Sequence, residues 1–166
     1  MKFIKEITPY IIVVIVALLI RTFIVTPVQV DGESMYPTLD DNEILLLKKY
    51  DHSYERFDIV VFDYNNSKLV KRIIGLPGEY VEYKNNELYI NNKKLDFKLD
   101  AYTYDFELSE LGFKQIPEDY YLVLGDNRTN SIDSRRIGLI PKENILGTTT
   151  FSIFPFNKFG KIKIND

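Results

Sequence analysis

Residues 81–90, VEYKNNELYI, decide the fold. Apolar and polar side chains alternate on either side of Asn85–Asn86, and asparagine is one of the few residues that accepts the left-handed backbone of a two-residue hairpin turn. The stretch therefore reads as two antiparallel strands, and Asn91–Asn92 offers a second reversal directly after them. Further out, EILLLKKY (43–50), FDIVVFDY (57–64), KLVKRIIG (68–75) and DYYLVLGD (119–126) repeat the pattern. Each is short, rich in β-branched and aromatic residues, and bounded by Gly, Pro, Asn or Asp. The body is expected to be mostly β. The stretch near 96–118 carries mixed signals and reads as a variable insertion or small subdomain.

The N-terminus has a different pattern. Ile7 to Ile20 carries no charge, which gives 14 residues and about 21 Å of helix at about 1.5 Å per residue. If Lys5 and Arg21 reach back to the two interfaces, Ile4 to Thr22 becomes the span, 19 residues and about 28 Å against a hydrocarbon core of about 30 Å. No A-x-A-like cleavage site closes the run, so it reads as a retained anchor rather than a cleaved leader. Lys2 and Lys5 precede the span, which places the N-terminus in the cytoplasm by the positive-inside rule, with Arg21 the one cation on the outer flank. The expected division is residues 1–27 for the cytoplasmic end and anchor, and residues 28–166 for a body outside the membrane. Near the C-terminus, FSIFPFNKFGKIKI (151–164) carries four phenylalanines and no acid. It and TFIV (22–25) suit the headgroup layer, and a core or terminal-strand placement suits the aromatics equally.

Composition closes off several chemistries. A net charge of −3 gives no basic stripe for nucleic acid. The absence of cysteine excludes disulfides, thiolate zinc sites and a cysteine nucleophile. The single histidine, His52, stands in the polar stretch KKYDHSYERF and reads as a loop residue. No metal-ligand spacing and no cofactor motif is expected.

Two segments stand out chemically. In VQVDGESMYPTL (28–39), Gly32 permits a backbone closed to other residues and Pro37 holds Tyr36 extended, so Ser34 sits in a shaped loop just beyond the anchor. By itself such a serine is only a turn residue, because a hydroxyl needs a base before it attacks anything. In KLVKRIIG the strand period puts Leu69, Lys71 and Ile73 on one face, so Lys71 stands among aliphatics. An ordinary amine at about 10.4 must fall by about 3 units to act as a base near neutrality, about 4 kcal/mol, which burial can supply. A lone lysine in a strand is otherwise a surface residue with a snorkelling head. A third segment, GDNRTNSIDSRRIG (125–138), is dense in donors and acceptors. Its Asp126, Asn127, Arg128, Asp133, Arg135 and Arg136 suit either an ion-pair scaffold or a solvated loop.

SMYPTL, KRIIGLPGE and GDNRTNSIDSRRIG, in this order behind one N-terminal anchor, resemble the type I signal peptidases, bacterial members with a single anchor above all. The resemblance runs from about Phe23 to Gly147 and omits only the variable stretch. It implies a sheet or partial-barrel catalytic body, a Ser34 nucleophile, a Lys71 general base, and a Ser131 hydroxyl that orients the amine. It also implies a scaffold pair of Asp133 and Arg135, an aspartate at Asp126, and a Met35 adjacent to the substrate pocket. Where some members have a serine two residues before the nucleophile, this chain has Gly32. The oxyanion is then left to the Ser34 backbone N–H and another donor. The implied substrates are exported pre-proteins with small residues at positions −1 and −3 from the cut, bound as an extended strand. The implied partners are those pre-proteins and the lipid bilayer, with no cofactor. A Ser-Lys self-cleaving repressor would share the chemistry but would carry a DNA-binding head in place of the anchor. A peptidase-like assembly factor or chaperone for surface proteins would bind without cutting.

Overall fold

The computed structural model describes residues 2–50, 53–97 and 101–162; His52 lies outside them. The apolar N-terminal run forms helix α1 (Lys2–Phe23). Its 18-residue window Glu6–Phe23 has a mean hydropathy of 1.9, and none of it is buried against the rest of the molecule. A core helix would bury one face; α1 presents aliphatic side chains all round, as a helix does when its solvent is lipid.

The body is built of antiparallel strands in two sheets. The larger contains β1 (Val25–Gln29), β2 (Ile44–Lys48), β3 (Ile59–Tyr64) and β4 (Ser67–Gly75), with β9 (Tyr120–Leu124), β10 (Ile140–Pro141), β11 (Ile145–Phe154) and β12 (Gly160–Lys161). Its spatial order is β1-β2-β11-β3-β4-β9-β10, and β12 pairs with β11. The smaller is β7-β6-β5-β8, made of β5 (Val81–Lys84), β6 (Glu87–Ile90), β7 (Lys93–Leu95) and β8 (Phe106–Glu107). The three hairpins β3-β4, β5-β6 and β6-β7 each turn on an Asn-Asn pair: Asn65–Asn66, Asn85–Asn86 and Asn91–Asn92, all six at positive φ. That is the geometry which matches the strands' right-handed twist.

Alternation along β4 sorts its side chains into different cores. Val70 packs with Val28, Met35, Leu45 and Val61, whereas Leu69 and Ile73 join Val60, Phe62 and Val123. The described part of the 96–118 stretch does not stand apart. Phe106, Leu108 and Ile116 share one cluster with Ile74, Leu122 and Val81, so it fills the space between the two sheets. At the C-terminal end the terminal-strand alternative holds in part. Residues 151–154 and 160–161 are strand, while Phe154, Phe156 and Phe159 stay exposed.

Candidate active site

The loop after β1 is pinned from both ends. Val30 donates to the Glu43 carbonyl at 2.8 Å, and one helical turn, Leu39 N–H to Met35 O at 2.9 Å, drives Met35 and Leu39 into the core. Met35 is wholly buried in the core directly beside Ser34. Gly32 has φ +86°, and its N–H is taken by the Asp41 carboxylate at 2.7 Å. That amide is thus committed to the loop, and Gly32 serves conformation rather than oxyanion binding. The Ser34 N–H has no acceptor among the described residues.

Held this way, Ser34 meets the amine of the neighbouring strand. Lys71 Nζ lies 2.8 Å from Ser34 Oγ and 2.9 Å from the Val70 carbonyl, and the residue is 2% exposed. Its cross-strand partner is the fully buried Val60. Desolvation in this setting lowers the Lys71 pKa from 10.5 to about 8, against an opposing pull from the Asp133 and Asp126 carboxylates. About one amine in ten is then neutral at pH 7. The carboxylates do not hold it charged because each is neutralised by its own arginine.

Those two pairs form the wall behind the site. Arg72, on the strand face opposite Lys71, is wholly buried and grips Asp126 side-on, Nε to Oδ1 at 2.8 Å and Nη2 to Oδ2 at 2.6 Å. Thr38 Oγ1 donates to Asp126 Oδ2 at 2.5 Å, which ties the serine loop to the same carboxylate. Arg135 grips Asp133 in the same way, at 2.9 and 2.7 Å. Asp133 also accepts from Gly125 N and caps the short helix α2 (Ser134–Ile137). Burial pushes the Asp133 carboxyl up, but Arg135, with help from Gly125 N–H and Ser131, outweighs it and holds the group below the usual carboxylate value.

The segment 125–128 closes on Ser34 from above. Asn127 N–H donates to the Ser34 carbonyl at 3.0 Å and its side-chain amide to the Glu33 carbonyl at 3.1 Å. Gly125 is required by close approach: a Cβ there would collide with Ser131 Oγ and stand 2.5 Å from Ser34 O. Ser131 is brought to this wall but does not engage the lysine. Its buried Oγ makes no hydrogen bond of good geometry, and it sits near Gly125 and the Asp133 carboxylate. The expected lysine contact is absent in this conformation, in which Lys71 Nζ donates to Ser34 Oγ and Val70 O. Arg72, Thr38 and Gly125 were not singled out from the sequence, whereas Asn127 stood among the candidate scaffold residues. The visible signals were an arginine inside an apolar strand and a glycine directly before the acidic segment.

A serine hydroxyl set against a desolvated amine, with neither histidine nor cysteine among the described residues, is the equipment of a serine hydrolase. The sequence profile described as "Signal peptidase, peptidase S26" matches residues 3–154, and the chain belongs to this family of serine endopeptidases. It is 46% identical to Signal peptidase I of Bacillus amyloliquefaciens, over 92% of this chain and 89% of that one. It is 45% identical to Signal peptidase I S of Bacillus subtilis (strain 168), over 91% and 89%. Signal peptidase IB of Staphylococcus aureus (strain COL) is 42% identical, over 93% of each. A crystal structure of a signal peptidase I from Enterococcus faecalis V583 superposes with a TM-score of 0.53 at 37% identity, covering 58% of this chain and 96% of that one.

Proposed function

We propose that the chain removes signal peptides from exported pre-proteins, with Ser34 as nucleophile and Lys71 as general base. The observation that carries this is the 2.8 Å contact between Lys71 Nζ and Ser34 Oγ, made by an amine whose burial lowers its pKa to about 8. Neutral Lys71 takes the Ser34 proton as Oγ attacks the scissile carbonyl, and the oxyanion is met by the Ser34 N–H. The ammonium then returns a proton to the leaving amine, and an acyl-enzyme remains. Water, deprotonated by the same amine, releases the signal peptide and restores Ser34. Asp126 with Arg72, and Asp133 with Arg135, position the two loops. Ser131, buried and without a partner of its own, is the hydroxyl available to steady the amine after a side-chain rotation.

The anchor and the aromatic tip support a site at the membrane face. Phe154 pairs with Ile44, which pairs with Gln29, so the exposed phenylalanines lie at the end of β1 and β2 from which the Ser34 loop departs. Pro37 and Thr38 of that loop share a cavity of about 430 Å³ with Lys158 and Phe159, and Lys158 bridges to Asp40 at 2.7 Å. With the N-terminus in the cytoplasm and the aromatics in the headgroup layer, Ser34 faces a scissile bond just beyond the substrate's own membrane helix. The cut follows small residues at −1 and −3. Cleavage of a pre-protein in detergent or lipid by wild type, Ser34→Ala and Lys71→Met tests the assignment. Both folded variants should lose cutting by at least about 10³-fold. Cutting that survives in either removes that residue from the chemistry, and a folded wild type that binds pre-protein without cutting it favours an assembly factor.

A further inference from the structure

Arg72, Arg128 and Arg135 are three arginines around two buried carboxylates. Arg72 takes Asp126 and Arg135 takes Asp133, in both cases with the Nε and Nη2 edge of the guanidinium. Arg128 is buried as well, at 3% exposure, yet the same edge, Nε and Nη2, finds no hydrogen-bond acceptor of good geometry among the described residues. Its remaining nitrogen, Nη1, is held by Thr103 Oγ1 at 2.7 Å, and its plane is steadied over the Tyr83 ring, 5.0 Å from the centroid. The Tyr83 hydroxyl is likewise buried, lies beside the Arg128 guanidinium, and makes no hydrogen bond of good geometry among the described residues. A buried ion left unpaired is costly, so a guanidinium fixed in place with its bidentate edge free points to an anion from outside the chain.

The surroundings allow one. Arg128, Tyr83 and Thr103 line a cavity of about 220 Å³ together with Asn86, Glu87 and Phe97. At about 30 Å³ per water, that is room for one oxyanion group and several waters. Glu87 is the acidic wall, and it is engaged by Lys94 Nζ at 2.6 Å and by the Tyr89 hydroxyl at 3.0 Å. Asn86 is spent on the Thr103 N–H at 2.7 Å. Among the described residues, Arg128 is left as the cation of this pocket without a counter-charge. We propose that Arg128, with the Tyr83 hydroxyl, forms a binding site for a small oxyanion, a carboxylate or phosphate group taken side-on by Nε and Nη2. The site is separate from Ser34 and Lys71 and does not depend on their assignment.

Titration calorimetry of the full chain in detergent tests this, with sodium phosphate and sodium acetate as probes and chloride balancing the ionic strength. Wild type should bind at least one of the two at one site per chain, saturating in the low millimolar range. Arg128→Lys keeps the charge but loses the fork, and should weaken binding at least tenfold while unfolding at the same temperature in chloride. No saturable binding of either probe, equal binding by Arg128→Lys, or equal competition by chloride overturns the proposal. If Arg128→Lys fails to fold, guanidinium NMR of wild type decides. The Arg128 Nε–H resonance should move on titration, and movement of Arg72 or Arg135 instead, or of none, is contrary. Asp100 lies outside the described residues, and Asp100→Asn serves as a control. Binding that appears only in that variant means the chain's own carboxylate fills the fork and no external anion is bound.

Discussion

Burial of the Lys71 amine carries a folding cost. A pKa lowered from 10.5 to about 8 in a residue this buried corresponds to about 3 kcal/mol of lost stability wherever the amine is protonated in both states. The unfolded chain binds the extra proton between about pH 8 and 10.5, so stability from this group rises with pH across that window. Lys71→Met should therefore be more stable than wild type at pH 7, and the gap should close as pH climbs from 8 to 10.5 in denaturant titrations. A gap that is absent at pH 7, or independent of pH, would show that the amine is not desolvated. Gly125→Ala should act in the opposite sense. Its Cβ meets the Ser34 carbonyl at 2.5 Å, backbone that cannot step aside cheaply, so kcat/KM should drop at least tenfold with a stability loss of about 1–3 kcal/mol. Unchanged kinetics would mean that the 125–128 segment does not set the position of Ser34.

Among the strands and turns, the Asn-Asn hairpins give the cleanest contrast. The second position of such a turn favours glycine, so Asn66→Gly should be neutral or slightly stabilising. Asn86→Gly should cost about 1 kcal/mol relative to it, since Asn86 Oδ1 also accepts the Thr103 N–H; thermal unfolding of the two variants checks the order. Asp126→Asn strands a wholly buried Arg72 and should cost about 3–5 kcal/mol, whereas a change within about 1 kcal/mol would mean the pair is not buried in solution. These elements also show what could be read from the chain. Asn85–Asn86 and Asn91–Asn92 announced their turns because turn chemistry is local, and Asn65–Asn66 carried the same signal between equally clear strands. Lys71 stood out as an amine among aliphatics, again a local pattern. The pairing of Arg72 with Asp126 joins residues 54 apart and leaves no trace in either neighbourhood. The stretch near 96–118 looked like a separate insertion because β8 is only two residues long. Its apolar residues follow no period, being placed by the gap between the sheets rather than by a helix or strand face. The pocket-side place of Met35 came from the family resemblance alone, and its burial follows from the helical turn that joins it to Leu39.

Across the molecule, no residue of the Glu6–Phe23 window of α1 is buried on the body, which it meets through Thr22 O, bonded by Lys49 Nζ at 3.2 Å, so a chain beginning at Val25 should keep the body's thermal unfolding and cut short soluble peptides at the full-length rate. Its rate on membrane-held pre-protein should fall at least tenfold, and a coincident fall on soluble peptides would show that the helix supports the site itself. Replacing Phe156 and Phe159, which stand 81% and 62% exposed, by Ser in that shortened chain should lower its sedimentation with lipid vesicles without moving the unfolding transition. Unchanged sedimentation would take the aromatic tip out of the headgroup layer. The most direct test of the central claim, that a desolvated lysine is the base for Ser34, is the pH profile of kcat/KM on a soluble signal-sequence peptide, which reports the free enzyme's base. The rate should rise with pH through a limb near 8, where the neutral amine accumulates, and His52→Ala should leave that limb in place. A limb between pH 6 and 7 that disappears in His52→Ala would contradict the assignment of Lys71 and return the base to histidine.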